Sequence, residues 1–394
     1  MFGSCIFCSI SSIFKTIKKI KQNYIFQNTT MLIDKTSKYD RPEKAREQGF
    51  YPFFRVIESE QDTVVKINGK DILMFGSNSY LGLNNHPKLI EAAKKAIEKY
   101  GTSCSGSRFL NGTLDLHIEL ENKLAEFVGK ESALAFSTGY QANLGAASCF
   151  AGRNDYLVID EYDHASIYDG CRLSFAKIIK FRHNNMESLE KVLQNIPTES
   201  CKIIIIDGVF SMEGDLARLP EIIRIAKKYR ADIMVDEAHS IGVFGDQGKG
   251  IVNHFNATND VSLIMGTFSK SLASIGGFIA SDCKTIDFLK HHARSLIFSA
   301  SLTPPCAATV LAAIDLMREE PERIAKLWEN TNYAHKLLKD TGLEIGFSSS
   351  PIIPIYIRHH EKTYLITKNL LSEGVFINPV IPPAVPSNDT LIRF

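Results

Sequence analysis

The stretch KIIIIDGVFSMEGDLARLPEIIRIAKKYRADIMVD, residues 202–236, contains the pattern that decides the fold. It begins with an apolar run (202–207), continues with apolar residues at helical spacing (219–229) and ends with a second apolar run (232–236). Short apolar runs separated by helices are typical of parallel strands that are covered on both faces. The stretch therefore predicts a strand, a helix and a second strand of a mainly parallel sheet.

The same alternation extends in both directions from this stretch. Helical spacing recurs at 86–100, 116–129 and 186–196, and five further apolar runs read as strands: ALAF (133–136), YLVI (156–159), KIIKF (177–181), LIMGT (263–267) and GFIA (277–280). We therefore predict an α/β fold in which residues 84–305 form a large domain with a mainly parallel seven-stranded sheet. Residues 31–83 are expected to form an N-terminal arm.

The remainder of the chain, residues 306–394, is predicted to form a smaller α+β domain. One long helical stretch (306–340) is followed by a strand (351–357), a helix (362–373) and the strand-like segments 375–379 and 391–394. The last of these, LIRF, has the composition of the middle of an element, so we expect this domain to be truncated.

Composition and charge exclude several classes of protein. Hydrophobic residues make up 44% and charged residues 23%, which is ordinary for a globular protein. There are 45 Lys and Arg against 44 Asp and Glu, a net charge of +1, so no overall field favours nucleic acid. No apolar run reaches the length of about 18 residues that a membrane-spanning helix needs. We expect neither a nucleic-acid partner nor a spanning helix.

The eight cysteines are scattered, and the CxxC pair Cys5 and Cys8 has no second pair that could complete a zinc site. We therefore expect reduced thiols, no metal site and a cytoplasmic location. Residues 1–30 place their lysines after the apolar run, unlike a signal peptide. Three interpretations of this extension stay open: a disordered leader, a true start at Met31, or a basic segment lying on the inner-membrane surface.

The segment GTFSKSLASIGG (266–277) places Lys270 among hydroxyls and glycines, three residues after the LIMGT strand. A lysine amine is a poor nucleophile unless its pKa is lowered, and it can then form a Schiff base with an aldehyde. Thr267 and Ser269 supply hydroxyl donors beside it. An isolated lysine in a loop is usually only solvated, so the interpretation depends on what accompanies it.

The segment IMVDEAHSIGVFG (233–245) supplies an acid, because Asp236 ends an apolar strand and His239 follows. A buried carboxylate is costly unless a cationic group accompanies it. The letters DEAH also form the metal-binding box of some ATP-driven helicases. Those proteins need a GxxxxGK[ST] phosphate loop upstream, and none precedes residue 233, so we reject that interpretation.

The segment STGYQANLG (137–145) follows the ALAF strand and begins a helix, whose free N–H groups can bind a phosphate. Pyridoxal phosphate (PLP) needs three things: an amine for its aldehyde, an acid beside its ring nitrogen, and donors for its phosphate. Lys270, Asp236 and residues 137–140 with 267–269 meet all three needs at strand ends. The residues alone therefore predict a PLP enzyme that acts on an amino acid.

With these residues identified, the chain resembles the α-oxoamine synthase family of fold-type I PLP-dependent transferases. These enzymes join an amino acid to an acyl-CoA with loss of carbon dioxide. The resemblance covers Met31 to Phe394 and rests on FGSNSYLGL, GTSCSGSRFLNGT, FSTGYQANLG, DEYDHASIYDG, DGVFSMEGD, VDEAHSIGVFG, GTFSKSLASIGG and FSASLTPP. It implies PLP as cofactor, L-serine and a long-chain acyl-CoA as substrates, and a homodimer with shared active sites.

The resemblance also implies roles for individual residues. Lys270 carries the cofactor and acts as base at the amino acid Cα, Asp236 pairs with the ring nitrogen, and His239 binds the 3-oxygen. His164 would stack on the ring, and Ser211 would lie near it. The phosphate would be bound by Gly139, Tyr140, Thr267 and Ser269, and the phosphate of the neighbouring subunit by Ser299 and Ser301. The substrate would be bound by Asn78, Tyr80 and Arg393.

Two departures from the family pattern leave alternatives open. Residues 1–30 have no counterpart, and family members continue past LIRF with a further strand and helix. The chain could therefore be an inactive partner subunit, although it retains Lys270. Sister enzymes of the family use glycine or alanine, and the choice of serine comes from the resemblance alone.

Overall fold

The computed structural model describes residues 31–382 and 384–394, and the chain divides into two compact units, 1–53 and 54–394. The extension 1–30, with Cys5 and Cys8, lies outside the described residues. The described part of the first unit contains two short helices, α1 (Leu32–Thr36) and α2 (Arg41–Glu47). All further elements belong to the second unit.

The second unit contains thirteen strands among the described residues, numbered here in chain order. They are β1 (Val64–Ile67), β2 (Lys70–Met74), β3 (Ser132–Phe136), β4 (Tyr156–Asp160), β5 (Lys177–Phe181), β6 (Lys202–Asp207), β7 (Asp232–Asp236), β8 (Leu263–Thr267), β9 (Gly277–Ser281), β10 (Pro354–Tyr356), β11 (Val375–Phe376), β12 (Asn378–Val380) and β13 (Leu391–Arg393).

The helices of the second unit alternate with these strands. They are α3 (Pro87–Tyr100), α4 (Asp115–Val128), α5 (Gly139–Cys149), α6 (Ala165–Leu173), α7 (Met186–Gln194), α8 (Leu219–Tyr229), α9 (Ile251–His254), α10 (Cys283–His292), α11 (Arg294–Ile297), α12 (Pro304–Glu319), α13 (Glu322–Asp340) and α14 (His360–Ser372).

Seven strands form the large sheet in the order β3-β9-β8-β7-β6-β4-β5, which confirms the predicted fold class. All neighbours are parallel except β9, which runs antiparallel to both β3 and β8. Strands β4, β6 and β8 are buried at every position, as expected for strands with helices on both faces. The pattern of apolar runs thus located all seven strands.

Helix α8 shows how the sheet is covered. Its apolar residues recur at helical spacing and are buried against the core, namely Leu219, Ile222, Ile223, Ile225 and Ala226. Burying each of the larger side chains contributes about 1.5–3 kcal/mol. Basic residues follow in the last turn, where they oppose the negative end of the helix dipole.

Residues 306–394 differ in one respect from the sequence-based expectation. The predicted single helix 306–340 is two helices, α12 and α13, which are separated at Glu320 and Pro321. Proline lacks the N–H that a helix interior needs, so α12 ends before it. Strand β13 lies between β10 and β12 in a three-stranded antiparallel sheet, which places Arg393 next to Pro354 and Asn378. The domain boundary at 305/306 stays a prediction.

Two further findings concern the described residues only. None of the helices in 31–382 and 384–394 combines the length and the apolar character that crossing a membrane requires. The six cysteines in the same ranges are all free of disulfides.

Candidate active site

A cavity of about 320 Å³ lies at the carboxyl ends of β6, β7 and β8, beside the first turn of α5. This volume is within the range of small-molecule sites. The register explains the position, because Asp207 pairs with Asp236 and Thr267 pairs with Gly277 at the same edge of the sheet. Nine of the predicted site residues line this cavity: Gly139, Tyr140, His164, Ser211, Asp236, His239, Thr267, Ser269 and Lys270.

Lys270 follows β8 by three residues, and its side chain lines the cavity. Burial lowers the pKa of its amine to about 8, although the nearby carboxylates of Asp236 and Asp207 act in the opposite direction. Among residues 31–382 and 384–394 the amine has no hydrogen-bond partner within the usual distance. A half-buried amine with a lowered pKa is suited to reaction with an aldehyde.

Asp236, at the end of β7, is 3% exposed and its carboxylate is held by two donors. The N–H of Ala238 donates to Oδ1 at 2.8 Å, and Asn143 Nδ2 donates to Oδ2 at 2.7 Å. Both contacts fix the orientation of the carboxylate, which faces a cavity that also contains Lys270. The arrangement is suited to pairing with a positively charged ring nitrogen.

His164 is connected to Asp236 through a short hydrogen-bonded chain. Asn143 Nδ2 also donates to Ser166 Oγ at 2.8 Å, and Ser166 Oγ lies 2.7 Å from His164 Nδ1. The N–H of Ser166 points to the same Nδ1, which therefore acts as acceptor. Burial lowers the pKa of His164, so its ring is neutral and carries its proton on Nε2. A neutral, fixed ring is suited to stacking.

His239 is buried at 7% exposure, and its Nδ1 lies 2.7 Å from the hydroxyl of Tyr80. Burial lowers the pKa of His239 well below its ordinary value, and Lys270, Arg393 and His164 act in the same direction. Burial likewise raises the pKa of Tyr80, so the phenol keeps its proton and can donate to Nδ1. His239 Nε2 then remains available as a donor.

Another part of the cavity wall is formed by the first turn of α5 and by the residues at and after the end of β8. Thr138 caps α5 by accepting from the N–H of Gln141 at 3.1 Å, which leaves Gly139 and Tyr140 in the first turn. First-turn N–H groups have no partner within the helix. Thr267 Oγ1 and Ser269 Oγ lie 3.1 Å apart on the facing loop. N–H groups at a helix start together with hydroxyls are suited to binding a phosphate.

The predicted substrate residues Asn78, Tyr80 and Arg393 lie together at a second cavity of about 210 Å³. Arg393 donates from Nη2 to Asn78 Oδ1 at 3.3 Å and from Nη1 to the carbonyl oxygen of Ser211 at 3.0 Å. Since Ser211 also lines the first cavity, and Tyr80 contacts His239, the two cavities adjoin.

Ser299 and Ser301 do not line either cavity. Ser299 Oγ accepts from Gln141 Nε2 at 2.7 Å in the first turn of α5. Ser301 is buried, and its N–H and hydroxyl both donate to the carbonyl oxygen of Gly106, at 2.9 and 3.1 Å. Their expected contact with a neighbouring subunit's phosphate stays a prediction.

Sequence reasoning missed two residues that the structure places in the site. Asn143 lies one turn into α5, inside the quoted segment 137–145, and its Oδ1 is buried without a partner in the described chain. Asp207 lines the cavity and accepts from the N–H of His164 at 2.9 Å. Burial, with the charge of Asp236, raises its pKa well above the ordinary value. The strand-end position that identified Asp236 also applies to Asp207 and could have found it.

The cavity fits the cofactor that the sequence predicts. An added Cβ at Gly139 would lie 2.7 Å from Thr267 Oγ1, so only glycine keeps the space between α5 and the loop after β8 open. Lys270, the buried Asp236 and the donors of α5 surround one cavity, as an amine, an acid and a phosphate site for PLP require.

Comparison with known proteins agrees with this geometry. Residues 70–394 match the family described as aminotransferase class I and II. The serine palmitoyltransferase of Sphingobacterium spiritivorum is 57% identical over 363 residues, 92% of this chain and 91% of that protein. The 8-amino-7-oxononanoate synthase of Thermoanaerobacter pseudethanolicus is 40% identical over 90% of both chains.

A solved structure of a serine palmitoyltransferase also matches this chain. A variant serine palmitoyltransferase from S. paucimobilis with bound PLP and myriocin superimposes with a TM-score of 0.89, is 38% identical and matches over 92% of both chains. The fold and site define a fold-type I, PLP-dependent type of transferase. Within that class, the chain belongs to the α-oxoamine synthase family.

Proposed function

We propose that this chain uses PLP to condense L-serine with palmitoyl-CoA, giving 3-ketodihydrosphingosine, CoA and CO₂. The observation that carries the PLP chemistry is the free amine of Lys270 in one cavity with the buried carboxylate of Asp236. The choice of substrates is supported by the relatives. Four serine palmitoyltransferases are 49–58% identical to this chain, against 40–42% for four 8-amino-7-oxononanoate synthases. No specific observation favours 8-amino-7-oxononanoate synthase activity or glycine C-acetyltransferase activity.

When bound, PLP supplies an aldehyde for the amino acid and a ring that withdraws electrons from its Cα. The buried carboxylate of Asp236 would pair with the ring nitrogen and favour its protonated form. His164, which is neutral and fixed by Ser166, would pack against the ring, and His239, whose Nδ1 is held by Tyr80, would offer Nε2 as a donor to the ring oxygen. Gly139, Tyr140, Thr267 and Ser269, which line the same cavity, would hold the phosphate.

Arg393 and Asn78 hold the serine carboxylate. Arg393 presents a planar fork of donors that matches a carboxylate, and its contacts with Ser211 and Asn78 fix that fork. Lys270 removes the proton from Cα and holds it, because its pKa of about 8 allows both protonation states near neutral pH. Tyr80, which lines the same cavity as Arg393 and Asn78, keeps His239 in place through the contact of its hydroxyl with Nδ1.

A homodimer with shared active sites belongs to the same proposal. Ser299 contacts Gln141 in the first turn of α5, next to the proposed phosphate site, but does not line the cavity. This position supports a contact with the partner subunit rather than with the chain's own cofactor. The cytoplasmic location and the inner-membrane contact of residues 1–30 likewise stay proposals.

One experiment tests the assignment of the cofactor and its lysine. The PLP-loaded protein is reduced with borohydride, digested and analysed by mass spectrometry, and we expect the cofactor on the peptide that contains Lys270. Cofactor found on another lysine would contradict the site. No cofactor at all would favour the inactive-partner alternative.

A second measurement tests the amino acid. We expect an absorbance band near about 420 nm that changes when L-serine is added but not when glycine or L-alanine is added. A response to glycine or alanine alone would favour a sister activity of the family.

A further inference from the structure

His183, outside both cavities, lies between two carboxylates. Its Nδ1 is 2.9 Å from Asp160 Oδ1 and its Nε2 is 3.0 Å from Asp215 Oδ2. Because both ring nitrogens face acceptors, both must donate, and the ring is an imidazolium. Burial lowers the pKa of His183, but the two hydrogen-bonded carboxylates outweigh it and raise the pKa to about 10. The charge is therefore permanent near neutral pH.

The ring is also fixed from its faces. Tyr162 stacks on it with centroids 4.5 Å apart and planes at 20°, and Phe210 meets it edge-on at 4.5 Å and 85°. Stacked and edge-on aromatic contacts favour one orientation of the ring. We call His183 together with Asp160, Asp215, Tyr162 and Phe210 the His183 clamp. Phe210 directly precedes Ser211, so the clamp contacts the segment that carries a residue of the first cavity.

The neighbouring residue Asn184 reinforces both halves of the clamp. Its N–H donates to Asp160 Oδ2 at 2.9 Å, and its Nδ2 donates to Asp215 Oδ2 at 2.6 Å. Asn184 has a φ of 48°, in the left-handed region that non-glycine residues rarely adopt. Such conformations persist where the surroundings hold them, and they cluster at functional positions.

Asp215 belongs to the loop 208–216, whose Ser211 lines the first cavity and contacts Arg393 of the second cavity. The loop is closed by a bridge between Val209 and Leu216 and by the N–H of Phe210 donating to the Asp215 carbonyl at 3.0 Å. At its tip the Ser211 carbonyl oxygen accepts from Arg393 Nη1 at 3.0 Å. His183 thus contacts the loop at Phe210 and Asp215, and Arg393 contacts it at Ser211 between them.

We propose that His183 is a positioning residue for the substrate carboxylate: shared between Asp160 and Asp215, it fixes the loop 208–216, which in turn orients Arg393. The proposal rests on the proposed function, since it takes Arg393 as the group that binds the serine carboxylate. It assigns to the clamp a larger effect on serine binding than on PLP binding, because Lys270, Gly139 and Thr267 lie on other segments and Ser211 is the one residue of the loop 208–216 that lines the first cavity.

The test measures serine binding by the PLP-loaded protein from the change in its absorbance band. For His183→Gln, which loses the charge and whose side chain can face a donor to only one of the two carboxylates, we expect the apparent Kd for L-serine to rise about tenfold. The affinity for PLP should stay within about threefold. His360→Gln, at an exposed histidine of α14, is the matched control and should leave both values unchanged.

A coupled variant tests the route through Arg393. In an Arg393→Ala background the His183→Gln change should weaken serine binding little further, because effects that act through one group are not additive. An equal loss with and without the Arg393 side chain would overturn the proposal. So would unchanged serine affinity in His183→Gln.

A further measurement needs neither cofactor nor substrate. Amide hydrogen exchange in the loop 208–216 of the apoprotein should be faster in His183→Gln than in the unchanged protein, and unchanged exchange would overturn the proposal. If His183→Gln does not fold, Asp215→Ala keeps the pair of His183 with Asp160, removes the side-chain contacts of His183 and Asn184 with the loop, and carries the same expectations. Failure of the proposed function is distinguishable, since the unchanged protein would then show no response to serine.

Discussion

Asp236 owes its proposed role to being buried, fixed by Ala238 and Asn143, and negatively charged beside a cavity. For Asp236→Asn we expect a loss of about 10²-fold or more in kcat, because a neutral amide no longer favours a protonated ring nitrogen. The measurement is CoA release from palmitoyl-CoA and L-serine. Asp232→Asn, at the exposed start of the same strand, is the control. If Asp236→Asn turned over nearly as fast as the unchanged protein, the pairing of Asp236 with the ring nitrogen would be contradicted.

Lys270 should make loading of the apoprotein with PLP depend on pH. Its pKa is lowered by burial to about 8, so the reactive unprotonated amine is scarce below that pH and predominates above it. We expect the loading rate to rise about tenfold between pH 7 and pH 9 and then to level off. Stopped-flow absorbance measures the rate. A profile that keeps rising to about pH 10.5 would indicate an ordinary, solvated lysine.

His183 should contribute stability at low rather than high pH. Its folded pKa of about 10 lies above its ordinary value of 6.5, so the folded state retains a proton that the unfolded state loses. The contribution is fully present below about pH 6.5, decreases above it and is lost as the pH rises through about 10. The melting temperature of the apoprotein should therefore exceed that of His183→Gln by more at pH 6 than at pH 9. A difference that widens with pH would contradict the protonated clamp.

At this scale the sequence allows only part of the site to be predicted. Lys270 and Asp236 stand out because one amine and one acid follow apolar strands. Asn143 and His183 do not, because their roles depend on partners that are distant in sequence, such as Asp236 for Asn143 and Asp215 for His183. Nothing in the segment RHNN (182–185) indicates two carboxylates on either side of a ring.

Among the elements, α5 depends on its close approach to the loop after β8. An added Cβ at Gly139 would lie 2.7 and 2.8 Å from the Oγ1 and Cβ of Thr267, so the proposed phosphate site would have to shift. For Gly139→Ala we expect the Kd for PLP to rise about tenfold or more. Fluorescence titration of the apoprotein measures it. Gly152→Ala, where the nearest contact would be an ordinary 3.5 Å, should bind PLP normally. Equal affinities in the two variants would contradict the role of Gly139.

Elements with a strong local pattern were predicted correctly, and elements that need distant partners were not. The seven apolar runs became the seven strands of the large sheet, because burial on both faces leaves a local signal. Strand β11 has two residues and exists because it pairs with β2, some 300 positions earlier, and no sequence-based prediction of that pairing was made. The break between α12 and α13 follows from Pro321, which the prediction of one helix passed over.

For the whole molecule, the proposed homodimer predicts a mass. Analytical ultracentrifugation of the protein should give twice the mass of one chain at micromolar concentration. Because Ser299 is proposed to contact the partner's phosphate, removal of PLP should weaken the association of the subunits. A fully active protein with the mass of one chain would contradict the shared site.

The antiparallel strand β9 has a consequence for how the protein is made. In the large sheet β3 pairs only with β9, and Gly277 of β9 fits between Gly139 and Gly266, where a Cβ would lie 2.5 Å from the Gly139 Cα. On the ribosome, therefore, α5 cannot settle against the Thr267 loop until residues 277–281 have emerged. Lys270 leaves the exit tunnel shortly before residues 277–281. The growing polypeptide therefore exposes its reactive lysine before the binding site for the vitamin B6 coenzyme has folded. We therefore expect capture of that coenzyme only after residue 281 has emerged from the ribosome.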